Sequence, residues 1–219
     1  MIKLMIFDLD GTLLDTIHDL AAATNTVLTK HGYSTHTTEE YHYLVGNGVV
    51  NLITRALPEK ARTPQIIEEV MNEQVLYYNN HLYDNTKPFN AIPDVLAELE
   101  RRGVMLAVVT NKPDAAAKEL IKSFFPNIGF VQVQGNCEGI PVKPNPAAVN
   151  AVIKKSGVLK SEVLYFGDSD VDMQVAKNAD VKAVGVLWGY RKKEELQNAG
   201  ADILIENTED IISIIGGAF

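Results

Sequence analysis

Phe7-Asp8-Leu9-Asp10-Gly11-Thr12-Leu13 is the stretch of sequence on which the prediction of the fold depends. It follows a short apolar run, Leu4-Met5-Ile6-Phe7, that has the length of a buried strand, and Gly11 stands where that strand would turn. Residues two positions apart in an extended chain point to the same side, so Asp8 and Asp10 are expected to converge. Two converging carboxylates repel each other unless a cation lies between them. These residues alone also fit a strand end with two solvated acids, and the choice depends on the rest of the sequence.

The composition predicts an ordinary globular protein that binds neither nucleic acid nor a membrane. Of the 219 residues, 46% are hydrophobic and 22% are charged, which allows one large core and a smaller second domain. A formal net charge of -8 argues against a nucleic-acid-binding surface, so an anionic substrate would need a local cation. No apolar run approaches the roughly 18 residues of a membrane span. Met1-Ile2-Lys3 lacks the pattern of a signal peptide and the single cysteine, Cys137, fits a reducing compartment, so we expect a cytoplasmic protein.

A block of about 70 residues after the first strand is predicted to be helical throughout. Apolar residues recur at helical spacing from Ile17 to Leu28, near Tyr41, from Val49 to Ala56 and after Pro64. A crossover between two strands does not need this length. We therefore predict an inserted all-helical cap domain at residues 15–83, with the remaining core formed by residues 1–14 and 84–219.

The rest of the chain alternates apolar strands with amphipathic helices. Strands are predicted at 104–109, 130–133, 163–166 and 183–187, with a short sixth at 203–205. This alternation is typical of a parallel sheet covered by helices on both faces, so the fold class is α/β with a Rossmann-like core.

Polar side chains follow the predicted strands at their carboxyl ends, where ligands bind in open α/β sheets. The segments are Thr110-Asn111-Lys112, Lys143-Pro144-Asn145-Pro146 and Gly167-Asp168-Ser169-Asp170-Val171-Asp172, in addition to Asp8 and Asp10. Carboxylate oxygens suit Mg²⁺. A hydroxyl, helix-start amides and a lysine suit phosphate.

These four motifs, in this order, resemble those of the haloacid dehalogenase (HAD) superfamily, and specifically its Mg²⁺-dependent phosphatases. The matching residues are Asp8-Leu9-Asp10-Gly11-Thr12, Thr110, Lys143 in a Lys-Pro-x-Pro setting, and Gly167-Asp168-Ser169-x-x-Asp172. The resemblance covers the whole chain, and the helical block resembles the cap domain of that superfamily.

The resemblance implies a mechanism with an aspartyl-phosphate intermediate. Asp8 would be the nucleophile and Asp10 the general acid and base. Mg²⁺ would be held by Asp8, the backbone carbonyl of Asp10, and Asp168. The phosphoryl group would be bound by Thr110, the amide of Asn111 and Lys143, with Asp172 bracing the metal waters or Lys143.

The substrate is expected to be a small phosphorylated metabolite selected by the cap. Gly46-Asn47-Gly48 is similar to the cap of phosphoglycolate phosphatases. Glycines at a helix start expose backbone amides that favour an anion such as the carboxylate of 2-phosphoglycolate. The same residues also fit a simple glycine-rich turn between two cap helices.

Several alternatives stay open at this stage. A pyrophosphatase, a sugar-phosphate phosphatase or a phosphomutase would use the same core, whereas a dehalogenase has no use for the metal-binding acids. A non-catalytic receiver-type phospho-acceptor domain is a remote alternative, because it has no helical insert. The protein is expected to be a monomer or a homodimer. Individual side chains are also ambiguous: Lys112 fits substrate contact or the surface, Asp170 fits a helix-dipole partner, His18 has no assigned role and Trp188 fits packing.

Overall fold

The computed structural model describes residues 1–215, which divide into two compact units. One unit contains Met1–Asp15 and the chain from Pro88 onward, and the other contains Thr16–Lys87. The sequence placed these boundaries after residues 14 and 83.

The strands are β1 (Leu4–Phe7), β2 (Leu14–Asp15), β3 (Lys87–Pro88), β4 (Met105–Pro113), β5 (Phe130–Asn136), β6 (Val163–Gly167), β7 (Lys182–Val186) and β8 (Ile203–Ile205). The α-helices are α1 (Ile17–Lys30), α2 (Thr38–Leu44), α3 (Val49–Ala56), α4 (Pro64–Asn80), α5 (Ile92–Arg101), α6 (Asp114–Phe124), α7 (Ala147–Ser156), α8 (Asp170–Ala179), α9 (Lys193–Ala199) and α10 (Asp210–Ile215). Short 3₁₀ helices lie at Glu59–Ala61 and Lys160–Glu162. Among residues 1–215, no helix combines the length and the apolar character that crossing a membrane requires.

Six parallel strands form one sheet in the order β5-β4-β1-β6-β7-β8, which confirms the predicted fold class. The first strand of the chain is therefore central, with β4 on one side and β6 on the other. After β1 the chain builds β4 and β5 on one side and then β6, β7 and β8 on the other. The strand order thus reverses beside β1, and an open α/β sheet has its ligand crevice at such a point.

Every residue of β1 is buried, because helices cover both faces of the sheet. Leu4 and Ile6 belong to the apolar core that includes residues of α7 and α8. Phe7 stacks on Phe166 of β6, with 4.8 Å between the ring centroids. A strand fixed on all sides gives the residue that follows it, Asp8, a well-determined position.

Two strands extend well past their predicted ends. β4 continues to Pro113 and β5 to Asn136, whereas the apolar runs end at 109 and 133. Strand pairing needs backbone groups and not apolar side chains, so it extends past the apolar run, with a shift of register between Val109 and Pro113. The polar residues 110–112 therefore lie within a strand.

The helical unit has an apolar core of its own, with members from α1, α3 and α4. Its buried residues are Val27, Leu28, Ile53, Ala56, Leu57, Ala61 and Val70. Asp19, near the start of α1, accepts hydrogen bonds from the backbone and side chains of Asn85 and Thr86 at 2.7 to 3.0 Å. This buried carboxylate therefore ties the first helix of the unit to the segment that ends it.

Candidate active site

Asp8 and Lys143 meet at the carboxyl end of β1. Asp8 directly follows the strand, and the Nζ atom of Lys143, from the loop between β5 and α7, lies 2.9 Å from its Oδ1. Both residues are buried, with 9% of Asp8 and 4% of Lys143 exposed. The structure thus places the predicted nucleophile beside the predicted phosphate-binding lysine.

Asp172 holds the same ammonium from the first turn of α8. Its Oδ1 lies 2.7 Å from Nζ of Lys143, and its Oδ2 accepts hydrogen bonds from the backbone and the hydroxyl of Ser169. Burial lowers the pKa of Lys143, but Asp172 and Asp8 raise it further and leave it well above its usual value. Lys143 is therefore charged at neutral pH. Asp170, at the first position of α8, is exposed.

Asp168 lies at the end of β6 and is held by two donors. The backbone N–H of Tyr190 donates to Oδ2 at 2.8 Å, and the Thr12 hydroxyl donates to Oδ1 at 3.3 Å. Two glycines leave room for this carboxylate. A Cβ atom on Gly11 would lie 2.3 Å from Oδ2, and one on Gly189 would lie 2.2 Å from the Asp168 Cβ.

Three buried carboxylates form an acidic cluster that could hold a metal ion. Asp8, Asp168 and Asp172 each offer an oxygen atom within 4.8 Å of the others. Burial, and then the charge of Asp172, raises the pKa of Asp8 to about 6. Burial, and then the charges of Asp172 and Asp8, raises the pKa of Asp168 to about 8. A bound cation would relieve this repulsion.

The donor atoms of the cluster fit a hard divalent cation. They are carboxylate oxygens, which such ions prefer. The buried Oδ1 of Asp8, although paired in charge with Lys143, receives no well-aligned hydrogen bond from the described residues. Both oxygens of Asp172 already have hydrogen-bond donors, whereas Asp8 retains this acceptor. Asp168 also has two donors, but they are neutral, whereas one donor of Asp172 is the charged ammonium of Lys143. The residues present therefore fit a divalent metal better through Asp8 and Asp168 than through Asp172.

Asp10 and Lys112 form a second buried ion pair at this edge of the sheet. Nζ of Lys112 lies 2.9 Å from Oδ1 of Asp10. Lys112 is 5% exposed, so the alternative that it lies on the surface is wrong. Its backbone N–H donates to the hydroxyl of Thr110, which is also buried, at 3.3 Å.

The Asn111 carboxamide is fully engaged with the backbone of Lys143. Oδ1 accepts from the Lys143 N–H at 2.8 Å, and Nδ2 donates to the Lys143 carbonyl at 3.0 Å. Both polar atoms of the Asn111 side chain therefore contact the backbone of Lys143, and the predicted contact of the Asn111 backbone N–H with a phosphate stays a prediction.

Sequence reasoning missed Tyr165 and the contact that Trp188 makes. The Tyr165 hydroxyl lies 3.1 Å from Nζ of Lys143. The apolar sequence of its strand indicates only a packing role for this residue. The one available signal was a phenolic hydroxyl inside an apolar run. Trp188 Nε1 donates to the carbonyl of Thr12 at 3.0 Å, so the indole anchors the loop after Asp10.

The remaining predicted residues, Gly46, Asn47 and Gly48, belong to the helical unit, between α2 and α3. Their φ angles are 122°, 62° and 86°, all in the region that favours glycine. The Arg55 guanidinium donates to the carbonyls of Leu44 and Gly46, both at 3.1 Å, and fixes the loop. His18 is exposed on α1.

Known proteins resemble this chain over nearly its whole length in both sequence and structure. A family model described as haloacid dehalogenase-like hydrolase matches residues 5–186. A protein named phosphoglycolate phosphatase from Vibrio parahaemolyticus is 32% identical and covers 98% of this chain and 96% of its own. A crystal structure from Lactobacillus delbrueckii subsp. bulgaricus is 33% identical, has a TM-score of 0.92 and covers 97% of this chain and 98% of its own. A predicted phosphoglycolate phosphatase from Haemophilus somnus is 27% identical, with a TM-score of 0.90 and 98% coverage of both chains.

Proposed function

The chain belongs to the haloacid dehalogenase-like hydrolase family and is a phosphatase, and from this premise we propose the reaction and the substrate. The proposed reaction is Mg²⁺-dependent hydrolysis of 2-phosphoglycolate, or of a similar small phosphorylated acid, through an aspartyl-phosphate. The observation that carries the proposal is the position of Lys143, whose ammonium lies between Asp8 and Asp172 at the point where the strand order reverses. A carboxylate nucleophile and a fixed cation at one point suit the transfer of a negatively charged phosphoryl group.

The metal in this proposal is Mg²⁺, held by Asp8, the backbone carbonyl of Asp10, and Asp168. When bound, it supplies positive charge that offsets the repulsion between the nucleophile and the phosphoryl oxygens. Asp172 is left to brace Lys143, because both of its oxygens are already engaged there and at Ser169.

The covalent steps use the two acids that follow β1. A carboxylate oxygen of Asp8 attacks phosphorus, and the bond from phosphorus to the leaving oxygen breaks. Asp10 gives a proton to that oxygen and then takes one from the water that hydrolyses the aspartyl-phosphate. The phosphate product leaves and Asp8 is regenerated.

Three groups are proposed to hold the transferring phosphoryl group. They are the Thr110 hydroxyl, the Asn111 backbone N–H and the Lys143 ammonium. Hydrogen bonds from charged donors to phosphate oxygens are among the strongest in proteins. A buried lysine, 4% exposed, is well suited because little water competes for its protons.

The substrate assignment rests on the names of the relatives and on the loop at Gly46, Asn47 and Gly48. The loop has positive φ at all three residues and is held by Arg55, and glycine at two of its three positions lets a ligand approach the backbone N–H groups closely. The carboxylate of a small phosphorylated acid is the proposed anion. A cytoplasmic location and a small metabolite as the binding partner are parts of the same proposal.

A panel of phosphate esters tests the proposal. The purified protein is assayed with Mg²⁺ on 2-phosphoglycolate, pyrophosphate, sugar phosphates and a generic aryl phosphate, with EDTA as the metal-free control. We expect the highest kcat/KM on 2-phosphoglycolate and loss of activity in EDTA. Asp8→Asn should abolish turnover and formation of a phosphoenzyme while leaving the circular dichroism spectrum unchanged. Preference for pyrophosphate or a sugar phosphate would overturn the substrate assignment, and an active Asp8→Asn would overturn the nucleophile.

A further inference from the structure

Lys143 is held at both ends by side chains that no step of the proposed reaction uses. We propose that Asn111 and Tyr165 are positioning residues for Lys143, and that they direct one N–H of its ammonium toward the phosphoryl position beside Asp8. This inference rests on the proposed function and adds to it two residues whose side chains act through the lysine.

The backbone of Lys143 is fixed by the Asn111 side chain. The carboxamide accepts from the lysine N–H at 2.8 Å and donates to its carbonyl at 3.0 Å, so two bonds set both the position and the orientation of this residue. Asn111 is 8% exposed, so water competes little for these two hydrogen bonds. Because Asn111 lies on β4, its hydrogen bonds fix the loop that contains Lys143 against the central sheet.

The ammonium is fixed by Tyr165 and Asp172. The Lys143 ammonium has three protons. Three oxygens lie near its Nζ atom: Asp172 Oδ1 at 2.7 Å, Asp8 Oδ1 at 2.9 Å and the Tyr165 hydroxyl at 3.1 Å. Asp172 and Tyr165 each take one proton. The third is therefore left on the side of Asp8, where the phosphoryl group would arrive.

The Tyr165 hydroxyl is itself held in place. It has one proton, and its nearest acceptor is the carbonyl of Val109 on β4 at 2.9 Å, with Asp172 Oδ1 more distant at 3.3 Å. The lone pairs of the hydroxyl then face the lysine. Tyr165 lies on β6, with β1 between it and β4, so this side chain connects two strands that do not pair.

The test measures how tightly Mg²⁺-loaded protein binds inorganic phosphate, by titration calorimetry, together with KM, kcat and thermal stability. Tyr165→Phe removes only the hydroxyl, and Asn111→Ala removes the carboxamide. Each is expected to weaken phosphate binding and to lower kcat/KM by about tenfold, because Tyr165→Phe loses one hydrogen bond to a charged group and Asn111→Ala loses two between neutral groups. Tyr41→Phe is the matched control. It removes a buried hydroxyl that donates to Asn25 at 2.8 Å in the helical unit, and it should lower stability without changing phosphate binding.

The same two substitutions in a Lys143→Ala background separate positioning from general destabilisation. If both residues act through the lysine, neither should weaken phosphate binding further once the lysine is gone. Unchanged phosphate binding in Tyr165→Phe and Asn111→Ala, or equal losses with and without Lys143, would overturn the inference. If the unmodified protein neither bound phosphate nor hydrolysed an ester, the proposed function would fail first and the inference with it. If the unmodified protein were active and the Tyr165→Phe and Asn111→Ala variants bound phosphate as tightly as it does, only the positioning inference would be overturned.

Discussion

The ammonium of Lys112 lies 2.9 Å from Oδ1 of Asp10, in a pair whose lysine side chain is only 2% exposed. Asp10 is the proposed general acid and base. Its carboxylate therefore has to exchange protons beside a fixed positive charge. A buried charge that loses its partner costs several kcal/mol, about 3 to 5 in measured cases. This pair therefore has consequences for activity that an exposed pair would not have.

Lys112→Met should lower kcat, because it leaves Asp10 without its counter-ion while keeping a side chain of similar length. We expect a loss of about tenfold or more, since about 1.4 kcal/mol of lost transition-state stabilisation corresponds to each factor of ten. The loss should be larger on 2-phosphoglycolate than on an aryl phosphate that lacks a carboxylate, because we expect the lysine charge to attract the substrate carboxylate as well. Steady-state kinetics on both substrates measures this difference.

Lys118→Met is the control for this substitution. Lys118 pairs with Asp114 at 2.6 Å, but its side chain is 56% exposed and it lies on the outside of α6. Exposed pairs contribute about 1 kcal/mol or less, so this variant should keep its activity. Equal kinetics for the two variants would mean that the Lys112–Asp10 pair is structural only.

The position of Asp8, Thr110, Lys143 and Asp168 at one edge of the sheet was predictable from the sequence. Three of these residues lie at or just beyond the carboxyl end of an apolar run. In a parallel sheet all such ends lie on one edge, so recognising the strands is enough to place them together. Lys143 followed from its motif and from the need of an acidic protein for a local cation.

The Lys112–Asp10 ion pair does not follow from the sequence prediction, because the strand predicted at 104–109 stops where its apolar run ends. β4 continues to Pro113, and Thr110 and Lys112, two positions apart, are then expected on the same side of the chain. The contact of Tyr165 with the Val109 carbonyl is harder to foresee, because it crosses a strand between β6 and β4. It depends on the strand order, which no local pattern determines.

The metal-free protein should become less stable as the pH rises from about 4 to about 8. The folded-state pKa values of Asp8, about 6, and Asp168, about 8, lie above the ordinary 3.8, so the folded protein holds more protons than the unfolded chain in between. Stability therefore falls with pH, by about 1.4 kcal/mol per pH unit for each extra proton. Thermal unfolding in EDTA measures the trend.

Mg²⁺ should reduce this pH dependence, because a bound cation stabilises the charged carboxylates. Asp168→Asn should flatten the metal-free profile between about pH 6 and 8, since the group that holds the extra proton is gone. A metal-free protein that gains stability over this range would contradict the cause assigned to the two raised pKa values.

Asp19→Ala should destabilise the helical unit, since it leaves the N–H groups of Asn85 and Thr86 without their acceptor. We expect a loss of about 2 kcal/mol in chemical denaturation at neutral pH. Asp84→Ala is the control, because Asp84 makes only an exposed pair with His81 among the contacts described for it, at 2.8 Å. It should change stability by less than about 0.5 kcal/mol.

The contribution of Asp19 should also disappear in acid. Its burial raises its pKa, but hydrogen bonds from Asn85 and Thr86 outweigh this and leave the pKa below the ordinary 3.8. A carboxyl with a lowered folded-state pKa stabilises the protein above its unfolded value and loses that effect as the pH falls through the folded value. The stability difference between the unmodified protein and Asp19→Ala should therefore be constant from about pH 7 to 5 and shrink below about pH 4. A constant difference down to about pH 2 would rule out this carboxylate as the source.

Gly11→Ala should raise the Mg²⁺ concentration needed for activity, because the new Cβ would lie 2.3 Å from Oδ2 of Asp168 and the carboxylate would have to move. Gly103→Ala is matched in backbone strain: its φ is +79° against +84° for Gly11, but no atom lies within 4 Å of its Cβ position. Backbone strain should cost each variant about 1 kcal/mol of stability, and Gly11→Ala should lose more because its Cβ displaces Asp168. Only Gly11→Ala should shift the activation constant for Mg²⁺, by about tenfold or more, since displaced ligand-orienting contacts typically cost that much. A titration of activity with Mg²⁺ for both variants decides the point, and equal activation constants would place the metal away from Asp168.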